Sequence, residues 1–270
     1  MNTPDPVAAC RVNPKTFQLR KVKADAHPGM DDKKVAEKAT EANLKEIAHL
    51  QYKLYAEDKQ ALLVVLQGID AAGKDGTIRK VFSILNPQGC HVHSFKAPTK
   101  EELAHDYLWR IHSAAPRHGE VGIFNRSHYE DVLIARVRSL VPEKTWRARY
   151  AQINQFENLL ASSGTRVLKF FLYISKEEQE QRFRERLQNP EKQWKFNPED
   201  LAEREHWDAY LDAFQEALVK CSTPQAPWYV IPANRKWYRN WIISEVTRRA
   251  LEDMNPQIPP PAPGLDAIEF

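Results

Sequence analysis

"QGIDAAGKDGT", Gln67–Thr77, follows the aliphatic run Ala61-Leu62-Leu63-Val64-Val65-Leu66. A run of that kind, closed by a glycine turn, reads as a buried strand. The turn has the spacing Gly68-x-x-x-x-Gly73-Lys74, and "KDGTIRKVFSILN" continues it as a helix with Ile78, Val81, Phe82 and Leu85 on one face. Strand, glycine loop and helix start together gather unpaired backbone N–H groups and the positive end of a helix dipole at one point. Gly68, Ala72, Gly73, Asp75, Gly76 and Thr77 are therefore read as the wall of a phosphate site, with Lys74 neutralising a transferring phosphoryl group.

Two carboxylates complicate such a site. A carboxylate beside phosphates is repelled unless a divalent cation lies between them or its proton is in use. Asp70, inside the loop, is thus the candidate for coordinating Mg²⁺ and orienting an acceptor oxygen. Asp75 stands where such loops usually carry Ser or Thr. In the first helical turn it either offsets the dipole, the simpler role, or contacts the metal, and Thr77 is placed to supply the displaced hydroxyl.

Outward from the loop, strands and helices alternate. "KKVAEKATEANLKEIAHLQYKLYAED" (33–58) spaces Leu44, Ile47, Leu50 and Leu54 as one buried stripe. "CHVHSF", "EVGIFN", "RVLKFFLYI" and "WYVIP" read as four further strands. Helices are expected from Thr99 to about Ala115, around 129–141, over 143–162, from Ser175 to Asn189, over "EDLAEREHWDAYLDAFQEALV" and over 235–253. This alternation argues for an α/β three-layer sandwich with a five-stranded parallel sheet. One domain spans 33–255 and includes a helical lid at about 182–210. An irregular arm (1–32) precedes it and a proline-rich tail (256–270) follows.

The 270 residues carry a net charge of +3, too little to imply nucleic-acid binding, and no RNA-reading strand or basic–aromatic repeat occurs. Cys10, Cys90 and Cys221 are dispersed and form no disulfide framework. No apolar run is long enough to cross a bilayer, so the expected setting is cytoplasmic. The basic residues bunch. Arg79 and Lys80 follow the loop, Arg182, Arg186, Lys192 and Lys195 lie in the lid, and Arg235, Lys236 and Arg239 open the last helix. Together they suit a groove for a long anion. Trp194 either stacks on a base or anchors the lid.

"VGIFNRSHYEDV" ends a strand at Asn125-Arg126. Ligands of open α/β sheets bind outside the carboxyl ends of strands, so Arg126 should share a crevice with Lys74. Glu130 and Asp131 either ligate there or balance a helix terminus. With "GIDAAGKDGT", "FNRSHYEDV", "QRFRERLQNPEKQWKFNPEDLAEREHWDAYLDAF" and "APWYVIPANRKWYR" together, the chain resembles polyphosphate kinase family 2. The resemblance implies a P-loop kinase fold and movement of a terminal phosphoryl group between inorganic polyphosphate and a nucleotide, with Mg²⁺ or Mn²⁺. It implies catalytic Asp70, Lys74 and Arg126, joined by Arg186 and Asp200 of the lid, and a homo-oligomer, dimer or tetramer. Asn125 and Glu130 make the chain look like the class that accepts both AMP and ADP, giving ADP and ATP. An ATP-dependent nucleoside monophosphate kinase is the rival on the same fold, and a nucleotide- or RNA-binding module without turnover is the rival from another class.

Overall fold

Seven consecutive buried residues make β1 (Ala61–Gln67), and the computed structural model, which describes residues 5–196, 199–264 and 268, explains why. β1 is the middle strand of five, with β2 (Cys90–Ser94), β3 (Val121–Asn125), β4 (Thr165–Tyr173) and β5 (Trp228–Pro232) arranged β2-β3-β1-β4-β5 and every pairing parallel. A strand with helices on both faces must be apolar on both, hence the unbroken aliphatic run.

Leu62, Val64 and Leu66 enter one core with Ile47 and Leu54 of α1 (Lys33–Glu57) and Ile242 and Val246 of the last helix, Lys236–Met254. Leu63 and Val65 enter the other with Ile153 of the helix Glu143–Ser162 and Phe214 of the helix Trp207–Lys220. In chain order α2 is Lys74–Thr77, α3 is Glu143–Ser162, α4 is Lys176–Gln188, α5 is Trp207–Lys220 and α6 is Lys236–Met254.

Register positions the site. Leu66 lies beside Asn125, and the Arg126 amide donates to the Leu66 carbonyl at 3.0 Å. The glycine loop and the Arg126 segment therefore leave the sheet at the same height, at the carboxyl ends of adjacent strands.

Several elements differ from their expected extents. The helix from Thr99 divides into Lys100–Ala104 and Trp109–Ser113, because the Asp106 carboxylate captures the Leu108 amide at 2.9 Å and starts the second piece afresh. The segment 129–141 becomes a 3₁₀ turn, His128–Asp131, and a single helical turn, Ile134–Val137. There the Ser127 hydroxyl accepts the Tyr129 amide at 3.2 Å. After Thr77, the chain continues in π-helical form over Ile78–Phe82.

The arm is more ordered than its prolines suggest. It forms the helix Pro6–Cys10 and bridges Arg11 to Tyr229, and Val12 and Leu19 fill the second core. No helix among the described residues is long and apolar enough to cross a membrane.

Candidate active site

The loop after β1 depends on unusual backbone geometry. Gly73 caps α2 at φ 108° with no side-chain cap, and Ala71 holds φ 64° without being glycine. The first amides of α2 have no intrahelical acceptor and converge on the loop's mouth. The Lys74 ammonium folds back onto the loop, donating to the Gly68 carbonyl at 2.6 Å and the Ile69 carbonyl at 3.3 Å. Burial, helped by the nearby Arg126 charge, pulls it down to about 8 against the pull of Asp70, Glu130 and Asp75.

Arg126 also sits at a positive φ, 64°, a left-handed conformation that costs a bulky residue on the order of 1–2 kcal/mol. That turn brings its Nη2 to Asp70 Oδ1 at 2.7 Å. Burial works to raise the Asp70 carboxyl, but Lys74, Arg126 and Arg186 outweigh it, so Asp70 lies below its ordinary value and is ionised. Burial pushes Glu130 up, with Arg126 and Lys74 opposing.

Two cavities meet at this pair. One, of about 660 Å³, is lined by Gly73, Lys74, Gly76, Arg79, Arg186 and Lys192. The other, of about 560 Å³, has an apolar wall that includes Leu133, Val141, Trp207, Tyr210 and Phe214, with Arg110, Arg149 and Glu130 among its polar residues. Asp70, Arg126, Phe95 and Lys96 line both. A cationic trough and an apolar pocket thus open on one carboxylate–guanidinium pair.

A model of the polyphosphate kinase 2 family matches residues 30–259. The chain belongs to that family. It is 51% identical over 253 residues to the AMP/ADP-polyphosphate phosphotransferase of Meiothermus ruber, covering 93% of this chain and 95% of that one. It is 44% identical over 229 residues to the ADP-polyphosphate phosphotransferase of Rhodopseudomonas palustris, covering 80% and 79%. Among solved structures, polyphosphate kinase 2 from Arthrobacter aurescens TC1 superposes with a TM-score of 0.95 at 41% identity over 98% of this chain and 95% of that one.

The remaining expected site residues fall into distinct places. Arg79, Arg186 and Lys192 line the cationic trough, whereas Lys80 is exposed outside both cavities. Asn125 donates to Asp75 at 3.0 Å and joins the trough wall. Thr77 is wholly buried, its hydroxyl bonded back to the Gly73 carbonyl at 3.1 Å, and it does not take over a loop hydroxyl's place at the mouth.

Arg182 does not line the trough. Its guanidinium is buried and donates to the carbonyls of Ala71, Ala72, Ala233 and Asn234 and to Glu178. Those bonds hold the outer rim of the loop and leave no donor for a phosphate. Trp194 is 76% exposed and belongs to the trough, not to the apolar pocket; Phe196 meets Phe183 of α4 edge-on at 6.0 Å. The side chains of Lys195 and Asp200 lie outside the described set. The cations that open the last helix do not join the trough: Arg235 donates to the Asp25 carbonyl, Lys236 pairs with Glu185, and Arg239 is buried.

Sequence reading missed Arg110 and Arg149. Arg149 pairs with Asp131 at 2.9 Å and donates to the Asp131 carbonyl, so Asp131 serves to position a pocket cation. Neither arginine stands near a motif, and only the fold brings them to the pocket. Reading also missed a buried cluster beneath "FNRSHYED". Lys169 of β4 donates to Glu157 of α3 at 2.5 Å, to the Tyr129 hydroxyl at 2.8 Å and to the Cys221 carbonyl at 2.6 Å. Tyr129 and His128 also meet Glu157. The cluster fixes the segment that carries Arg126.

Among the described residues no three His, Cys, Asp or Glu side chains converge on a metal position. Asp70, in the wall of the cationic trough with Asp75 beside it, suits Mg²⁺, which is typically held by one or two carboxylates, substrate phosphates and water.

Proposed function

We propose that this chain moves the terminal phosphoryl group of inorganic polyphosphate to AMP and to ADP, reversibly, yielding ADP and ATP in the cytoplasm. The observation that carries the reading is the Asp70–Arg126 pair at 2.7 Å in the wall common to both cavities. A donor with many charges and no base suits the trough, and a nucleoside phosphate suits the pocket with its apolar wall and two arginines.

In this reading the donor's terminal unit rests on the loop amides and Lys74. An acceptor phosphate oxygen forms the new P–O bond in line while the bridging P–O bond to the shortened donor breaks. Arg126, with Arg186, offsets charge on the equatorial oxygens, and Asp70 orients the acceptor. The transition state is loose, so positioning and electrostatics dominate. Asp70 is the residue to hold Mg²⁺ or Mn²⁺, which when bound neutralises charge on the phosphate oxygens. Asn125 and Glu130, at the trough and pocket edges respectively, support acceptance of both nucleotide levels.

The test is an ATP-free assay of the purified chain with AMP, Mg²⁺ and polyphosphate. Formation of ADP and then ATP is expected. Absence of both, with phosphorylation of AMP when ATP is the donor, establishes the ATP-dependent kinase instead.

A further inference from the structure

Behind the phosphate loop two arginines are buried together, Arg182 at 7% and Arg239 at 4% exposure, and neither lines the trough or the pocket. Their surroundings differ. Arg182 has a carboxylate, Glu178, at 2.7 Å and four backbone carbonyls. Arg239 donates only to the neutral side chain of Asn240, from Nε at 3.2 Å and Nη2 at 2.9 Å. Among the described residues no carboxylate pairs with it.

Its Nη1 is aimed at the loop. A Cβ placed on Gly73 would lie 2.1 Å from Nη1, and one on Gly76 would lie 3.4 Å from Nη2. The two glycines that face the trough on one side therefore admit a guanidinium on the other. Burial, and next the charge of Arg182, bring Arg239 down to about 10, in keeping with a cation that lacks a counterion.

An uncompensated buried charge is strongly destabilising. Arg239 lies directly against the backbone of Gly73 and Gly76, which also line the trough, and over so short a path through buried protein its field is little screened. We propose that Arg239 is a further polyphosphate-site residue, a guanidinium pressed against Gly73 and Gly76 whose counterion is the anion bound on the opposite face of the loop. The inference rests on the donor reading above. It gives the loop glycines a second purpose and makes donor binding discharge an electrostatic strain stored in the empty protein.

Thermal melts and calorimetric titrations of the full chain with tripolyphosphate test it. Without anion, Arg239→Met should melt at or above the wild type, and its tripolyphosphate affinity should fall at least tenfold. Arg239→Lys should stay within threefold of wild-type affinity. A packing role predicts the reverse, so an Arg239→Met protein that melts several degrees lower and binds within threefold of wild type overturns the proposal. If both properties fall, Arg239→Lys decides: restored affinity sustains the proposal, and unrestored affinity overturns it. Wild-type protein that binds no tripolyphosphate refutes the donor reading itself, and this inference with it.

Discussion

Replacing Lys169 by Met probes the cluster under the Arg126 segment. Lys169 and Glu157 are 0% and 1% exposed, and Met keeps most of the lysine volume, so the change is chiefly electrostatic. The ammonium's three hydrogen bonds disappear, and Glu157 is left with Tyr129 and His128 alone. Breaking a buried pair from one side costs about 3–5 kcal/mol.

For 270 residues, an unfolding entropy near 2.1 cal/mol/K per residue turns that into a melting drop of roughly 5–9 °C. The loss depends on pH. In the wild type burial would raise Glu157, but Lys169 and His128 hold it below its ordinary value, so its contribution is present above the unfolded pKa and fades as pH falls through the folded one. Without Lys169 burial prevails and the folded pKa rises above the unfolded one. The variant then loses stability as pH climbs from the unfolded value to the new folded one.

Urea unfolding at pH 5 and pH 7.5 should therefore show the larger deficit at pH 7.5. The double variant Lys169→Met/Glu157→Gln should recover much of it. A deficit under about 1 kcal/mol at pH 7.5 would refute the assigned electrostatics, as would one that grows toward pH 5.

Lys74→Ala and Arg126→Ala should each lower turnover at least a hundredfold, about 3 kcal/mol of transition-state stabilisation, while circular dichroism stays that of wild type; near-normal turnover in either removes its role. Asp70→Asn should lower kcat without improvement at higher Mg²⁺, and full rescue by Mg²⁺ would reduce Asp70 to a weak metal contact. Gly73→Ala meets both a φ of 108° and Arg239 Nη1, so it should cost at least about 1 kcal/mol in thermal unfolding and weaken tripolyphosphate binding. Arg182→Ala strips the Ala71, Ala72, Ala233 and Asn234 carbonyls of their donor; it should lower the melting temperature by several degrees, and a variant as stable as wild type would show the rim does not depend on it.

The loop and the middle strand were legible because each is written in a contiguous stretch, and the approach of Arg126 to the loop because both follow the carboxyl ends of strands in one parallel sheet. An aliphatic run of six residues fits a strand covered on both faces, and glycine at Gly73 answers a local backbone demand. The short helices were not. Their breaks come from Asp106 and Ser127 side chains competing for backbone amides, a contest that hydrophobic spacing does not record. The N-terminal arm read as irregular because its prolines are local, while the contacts that order it, such as the Val12 amide to the Trp228 carbonyl at 2.9 Å, span the chain.

Charge shows the same division. Arg79, Arg182, Arg186 and Arg239 look equivalent in sequence, as cations near a phosphate motif. Which of them faces the trough, which buttresses the rim and which is sealed behind the glycines depends on helix rotation and on what α4 and α6 pack against. Sequence alone determined that this chain folds a phosphate loop onto a parallel sheet, since backbone conformation and strand burial are set by neighbours a few residues apart. Tertiary packing alone decided which charges face an incoming anion and which lie behind the loop, because a side chain's electrostatic effect depends on distance and dielectric, and both arise only when remote segments meet.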